Sequence, residues 1–176
     1  MSSIQIVLED ITKLKVDCIV NAANHSLLGG GGVDGAIHRA AGPGLLEECR
    51  SLNGCQTGQA KITKAYDLPC QYVIHTVGPV YDKSSQNAID LENCYINSLE
   101  LAKENNIHSI AFPGISTGVY GYPVKQALIV SYSAISKWLN DHDDYNMTVI
   151  LCAYNQDTYD LYLEYDMRYN VCKTNH

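Results

Sequence analysis

Asp34 stands two residues past the last of four consecutive glycines, Gly29 to Gly32, and Asn24 stands five residues before the first of them. Glycine amides approach an anion closely because no side chain intervenes, and a strand, a glycine loop and a helix start in succession describe a cradle for phosphate. Beside such a loop the Asp34 carboxylate lies near other negative charge and away from bulk water, where its pKa tends upward. That makes it a candidate base or water-positioning group. Asn24 can hydrogen-bond a sugar hydroxyl without adding charge. Each residue also has a plainer role. A carboxylate in a helix's first turn favours the helix dipole by a few tenths of a kcal/mol, and an asparagine after a strand closes a turn.

The elements that must hold these groups are legible on either side. Cys18-Ile19-Val20 reads as a buried strand entering the loop, Asn21 and Asn24 as its exit, and Val33 to Ile37 as the opening of a helix. Gly30 to Gly35 spells GxGxxG, yet the dinucleotide fingerprint also needs an acidic residue about 20 positions on. Arg50 to Gly58 contains none. No Lys-Ser or Lys-Thr follows the glycines, which excludes a Walker A loop.

A second loop of the same kind runs Pro113-Gly114-Ile115-Ser116-Thr117-Gly118-Val119-Tyr120-Gly121-Tyr122-Pro123, between the apolar strand His108 to Phe112 and a helix beginning at Pro123. Ser116, Thr117 and Gly118 offer hydroxyl and amide donors, and Tyr120 and Tyr122 offer flat faces. Ligands of open α/β sheets bind at the carboxyl ends of strands. Two donor-rich loops at one rim suit an elongated, phosphate-containing ligand.

The net charge of −7 argues against a general nucleic-acid surface; backbone amides bind a small anion without lysine. No apolar run approaches the ~18 residues of a membrane span, and the first residues lack the pattern of a secretory signal. Seven cysteines, the last Cys172, are scattered through apolar segments without a CxxC pair or metal-ligand spacing. Reduced, mostly buried thiols in a cytoplasmic protein are expected.

In chain order, strands are expected at Ile4 to Leu8, Val16 to Val20, Gly58 to Thr63, Tyr72 to Val77, His108 to Phe112 and Met147 to Cys152. Asp10 caps a short turn after the first. Ala36, Ile37, Ala40 and Ala41 make a packing face that Gly42-Pro43 ends. Helical spacing also marks Leu91, Cys94, Tyr95, Leu99 and Ala102, then Ala127, Val130, Ala134 and Trp138, then a last helix capped by Asn155. The alternation predicts an α/β domain with its sheet covered on both faces, residues 1–176 forming one domain. Nothing in the sequence specifies an oligomeric state.

Together these segments resemble the macrodomain family, and within it the MacroD type. The resemblance is carried by Asn21-Ala22-Ala23-Asn24 with Leu27 to Gly42, by Gly58 to Thr63, by Tyr72 to Pro79 and by Ile115 to Gly121, in order along nearly the whole chain. It implies a three-layer α/β/α sandwich with a mixed, roughly six-stranded sheet, and ADP-ribose across the rim. On that analogy Asp10 receives the adenine amino group, with Ile11 beside it. Gly30, Gly31, Gly32 and Val33, with Ser116, Thr117, Gly118, Val119 and Tyr120, surround the diphosphate and distal ribose. Asn24 and Asp34 address that ribose, where reaction occurs.

The resemblance further implies a hydrolase that removes ADP-ribose from acidic side chains of modified proteins and deacetylates O-acetyl-ADP-ribose, using no metal or cofactor. The alternative is a module that binds ADP-ribosyl groups without cleaving them. Both need Asp10 and the two loops; the first has a clear use for Asn24 and Asp34 together. Two positions depart from the family pattern: His25, where a smaller residue is usual, and Gly114, in place of Cys or Ala. His25 is expected as an exposed loop histidine that could reach a leaving group, and Gly114 to loosen the second loop.

Overall fold

Alternation of side chains decides how this chain layers. Cys18, Val20, Ile74, Ile110, Phe112, Val149 and Leu151 pack in one apolar cluster, whereas Ile19, Val73, Val77, Ala111 and Ile150 pack in another on the opposite side of the sheet. The computed structural model describes residues 1–174, with side chains described through residue 170. Its strands are β1 (Ser3–Leu8), β2 (Cys18–Ala22), β3 (Ala60–Lys64), β4 (Tyr72–Thr76), β5 (Ser109–Phe112) and β6 (Thr148–Ala153). Its helices are α1 (Gly32–Ala41), α2 (Pro43–Ser51), α3 (Gln86–Glu104), α4 (Val124–Asp141) and α5 (Gln156–Thr174), with a 3-10 turn at Ile11–Lys13.

The strands form one six-stranded sheet in the order β1-β6-β5-β2-β4-β3. All neighbours are parallel except β3, which runs antiparallel to β4 at the edge. α1 and α2 bury Ile37, Ala41, Leu45 and Cys49 on one face. The other face is covered by α3 and α4, through Leu91, Leu99, Leu128, Ile135 and Trp138, and by Tyr162 of α5. The expected three-layer sandwich with a mixed sheet is therefore observed.

Several local expectations are corrected. β2 runs on through Asn21 and Ala22, and Asn21 is fully buried rather than part of the exit loop. It pairs in register with His75 of β4, so the ladder continues past the last apolar residue. β3 starts at Ala60, since Gly58 ahead of it has φ +83° and gives its N–H to the Val77 carbonyl. Ala40 is exposed, leaving Ile37 and Ala41 as the buried face of α1. The predicted faces of α3 and α4 are observed, with Val130 half-buried, and Asn155 caps α5 by accepting from the Thr158 amide at 2.8 Å.

The topology itself opens the site. The chain leaves β2 toward α1 on one face and leaves the adjacent β5 toward α4 on the other. Neighbouring strands whose connections diverge leave a crevice at their carboxyl ends. No helix among the described residues is long and apolar enough to cross a membrane. The six cysteines with described side chains are free and buried; Cys172 lies outside the described side chains.

Candidate functional site

Two loops form the lips of this crevice. The first leaves β2 and reaches α1 through Gly29 (φ +92°) and Gly32 (φ +58°), backbone conformations that a Cβ would strain. α1 carries no side-chain cap, and its ladder opens with the bond from the Gly35 amide to the Gly31 carbonyl at 3.2 Å. The amides of Gly32, Val33 and Asp34 therefore lie ahead of the helical ladder at the positive end of the helix. A Cβ placed on Gly31 would meet nothing within 4 Å, so this lip faces open space.

The second lip leaves β5. Ser116 adopts φ +66°, rare for a residue with a side chain, and Gly78 makes room for it, since a Cβ there would strike the Ser116 hydroxyl. That hydroxyl is buried without a hydrogen-bond partner. The loop is cross-braced by the Tyr122 amide to the Ser116 carbonyl (2.9 Å) and the Tyr81 amide to the Tyr120 carbonyl (2.9 Å). Gly118, like Gly31, opens onto free space, and Val119 at the tip is fully exposed.

Other members of this loop differ from the sequence reading. The Thr117 hydroxyl donates to the Gly114 carbonyl at 2.9 Å, so it braces its own loop. A Cβ on Gly114 would stand 2.5 Å from that hydroxyl oxygen. Glycine there permits a tightly folded loop and does not loosen it. Tyr122 is buried against Tyr81 with ring centroids 4.9 Å apart, and it is a packing residue. Tyr120 is half-buried.

Asp34 and Asn24 converge on one point. A Cβ built on Gly30 would lie 3.2 Å from Asp34 Oδ2 and 3.4 Å from Asn24 Nδ2, so bare backbone separates the carboxylate from the amide. Asp34 is only 4% exposed. Burial raises its pKa, opposed by the hydrogen bond from Asn21 and by His38. Asn24 is committed within its loop: Nδ2 donates to the Gly29 carbonyl at 3.0 Å, and Oδ1 accepts from the Ser26 amide (3.1 Å) and hydroxyl (2.7 Å).

Asp10 lies along the same rim, after β1. Its Oδ1 accepts from the Thr12 hydroxyl (2.7 Å) and amide (3.0 Å), the capping role expected of it. Those two bonds, the hydroxyl's first, hold its pKa below the ordinary carboxylate value. Ile11 beside it is buried in the α1–α2 layer. His25 ties the two loops flanking α1 and α2 together: Nδ1 donates to the Cys55 carbonyl at 2.9 Å, and Nε2 faces the Thr57 hydroxyl at 3.3 Å.

Sequence reasoning missed four residues. His38, one helical turn after Asp34, brings Nε2 to 3.4 Å from Asp34 Oδ1, close enough for charge attraction but outside hydrogen-bond geometry. Asn21 donates to that same Oδ1 at 2.8 Å. His75, fully buried on β4, lies 3.2 Å beyond Asn21. Tyr154, 84% exposed, follows the last residue of β6, the strand paired with the β1 that leads to Asp10. An i,i+4 Asp-His pair on a helix and polar residues inside apolar strands were the available signals. Among the described residues no cluster of His, Cys, Asp and Glu converges as a metal site requires.

Comparison with known proteins agrees with this architecture. A family model described as Macro domain matches residues 20–131. The chain is 56% identical over 155 residues to the human "ADP-ribose glycohydrolase MACROD2", covering 87% of this chain and 36% of that protein. It is also 56% identical over 154 residues to "Macro domain-containing protein CT2219" of Chlorobaculum tepidum, covering 87% of this chain and 89% of the relative. A Trypanosoma brucei macrodomain solved in complex with ADP-ribose superposes with a TM-score of 0.84 at 47% identity, covering 90% of this chain and 67% of that one. The chain spans between about a third and three fifths of the length of the MACROD relatives it matches. With the family model across more than half its length and these relatives at such identity, the chain belongs to the macrodomain family.

Proposed function

We propose that this protein is an ADP-ribosyl hydrolase. Its substrates on this reading are proteins mono-ADP-ribosylated on acidic side chains and O-acetyl-ADP-ribose. The observation that carries the reading is the placement of Asp34: a buried carboxylate whose Oδ2 borders Gly30, beside the unbonded amides that open α1. Pure recognition of an anion gains nothing from a carboxylate there, since like charge opposes binding. Hydrolysis does, because a group of raised pKa can accept a hydrogen bond from water.

In this scheme the amides of Gly31 to Val33 and of Gly118 to Tyr120 hold the diphosphate between the lips. Asp10 keeps its Oδ2 free for the adenine amino group, and Ile11 backs it. Asn24 orders the loop that positions the distal ribose. A water between the diphosphate and Asp34 supplies the nucleophile. Its oxygen bonds to C1″ as the carboxylate of the modified side chain departs with the bonding pair; in the acetyl ester it bonds to the acyl carbon and the ribose oxygen departs. The water's proton is taken by the Asp34 carboxylate or by a diphosphate oxygen, and in the acetyl ester it is handed on to the departing ribose oxygen, which leaves as a hydroxyl; no metal or cofactor is required by the scheme.

The relatives named ADP-ribose glycohydrolase and the ADP-ribose complex of a structural neighbour support the same substrate class. We further place the protein in the cytoplasm as one domain over residues 1–176, on the strength of its free thiols and continuous sheet, with no membrane partner and no general nucleic-acid binding. The test is release of ADP-ribose from a glutamate-modified protein by wild type and Asp34→Ala, with ADP-ribose titrated into both. Turnover should fall roughly 100-fold or more in the variant, while affinity stays within about tenfold. Tight binding without turnover by wild type would identify a reader instead.

A further inference from the structure

Behind Asp34 lies a buried chain of polar groups that admits one arrangement of protons. Asn21 is fully buried, and its Nδ2 donates both hydrogens, one to Asp34 Oδ1 at 2.8 Å and one to His75 Nδ1 at 3.2 Å. Because Nδ1 faces a donor it must be bare, which places the imidazole proton on Nε2. Nε2 lies 3.0 Å from the Thr63 hydroxyl, which in turn gives its own proton to the Lys64 carbonyl at 3.0 Å. Each member fixes the next, from the β3 backbone through β4 and β2 to α1.

The Asn21 amide is oriented at a cost. Its Oδ1 is buried with no hydrogen-bond partner, so its lost hydration is not repaid by any bond in the fold. An apolar side chain at this place in the sheet would avoid that cost. The amide is thus better suited to aiming its two donors than to stabilising the fold. Burial also holds His75 far below its ordinary pKa, at about 3, so the ring stays the neutral acceptor that Asn21 requires.

We propose that Asn21, oriented by His75 and Thr63, is a positioning residue that holds the Asp34 carboxylate in one rotation, Oδ1 tied inward and Oδ2 turned to the crevice. This rests on the hydrolase reading for its consequence in catalysis. The groups facing Asp34 are His38 on its own helix, His75 behind Asn21 on β4, and Cys49 on α2, whose thiol is pushed up to about 11 by burial and stays neutral. The 3-10 turn packed against α1 carries Asp10 and Lys13, and Arg39 follows on α1 itself.

The experiment is a carbon NMR titration of the Asp34 carboxyl in the ligand-free full chain, paired with the pH profile of ADP-ribose release. In Asn21→Leu the carboxyl should titrate about one pH unit higher than in wild type, because a hydrogen bond favouring the charged form is gone. The acid limb of turnover should move with it and kcat should fall, while ADP-ribose affinity stays within about threefold. His75→Gln, whose amide accepts from Asn21 and donates toward Thr63, should leave the titration where it was. Thr63→Val, which touches no partner of Asp34, serves if Asn21→Leu does not fold, and should move the carboxyl in the same direction by less. An unmoved carboxyl in a folded variant overturns the positioning role. A displaced carboxyl in a protein without turnover would keep that role and refute the hydrolase reading.

Discussion

Substituting Gly35 by Ala tests how tightly the first lip is built. Gly35 lies in the first turns of α1 and is buried. In an open helix the change would stabilise by about 1 kcal/mol, because alanine restricts the unfolded backbone more than glycine does. Here the added Cβ would stand 2.5 Å from the Gly30 carbonyl oxygen, against the 3.0 Å that real Cβ contacts essentially always keep. Its other near neighbour, the Arg39 guanidinium at 3.0 Å, is the far end of a flexible side chain and can move away. The carbonyl must retreat instead, and it belongs to Gly30, on which a Cβ would stand 3.2 Å from Asp34 Oδ2. Overpacking of this kind costs about 1–3 kcal/mol, which set against the helix gain leaves a net loss of about 0–2 kcal/mol. A loss near 1 kcal/mol lowers Tm by about 2–4 °C in a chain of this size. Release of ADP-ribose should fall by about tenfold or more, since a displacement below 1 Å at a reacting group can cost that much. Gly31→Ala is the control, with φ −93° and open space around its Cβ, and its Tm should match wild type. A Gly35→Ala protein with a higher Tm and undiminished turnover would refute the argument that this contact fixes the lip.

Three further outcomes are expected. His75 protonates near 6.5 when unfolded but only near 3 when folded, so the stability linked to it is complete above 6.5 and drains as pH falls toward 3, by up to about 1.4 kcal/mol per unit. Thermal melts from neutral to mildly acid pH should therefore fall more steeply in wild type than in His75→Gln; parallel curves would mean the ring takes a proton in place. Gly118→Glu adds a charge where a side chain meets nothing within 4 Å, so Tm should hold while calorimetry shows ADP-ribose binding lost; unchanged affinity would remove the second lip from the site. Asp10→Ala should weaken ADP-ribose more than ribose 5-phosphate, and equal losses would contradict an adenine role for that carboxylate.

How much of the site was legible followed from how local each feature is. The glycine runs, the Asp10 cap and the Asn155 cap are written in a few adjacent residues, and each stands where the sequence placed it. The roles of Gly114 and Thr117 were not legible, because a single rotamer, the Thr117 hydroxyl folded onto the Gly114 carbonyl, decides whether glycine loosens or tightens that loop. Tyr122 was misread for a similar reason: an aromatic residue in a loop looks the same in sequence whether its ring faces a ligand or, as here, Tyr81.

The amino-acid sequence alone determined the layering of the chain, since periodic apolar residues and glycine breaks set strand, helix and loop through local sterics and burial. It also marked Asp34 and the two loops, whose chemistry resides in neighbouring residues. Only the tertiary structure decided what stands behind Asp34. Asn21 and His75 are 54 residues apart and meet because β2 and β4 pair in parallel with those two residues in register. Strand order and register are set by the packing of the whole sheet between its two helical layers, a sum over distant contacts that no local stretch encodes. A buried histidine in an apolar strand therefore becomes a proton-ordered support for a carboxylate only once the sheet has closed around it.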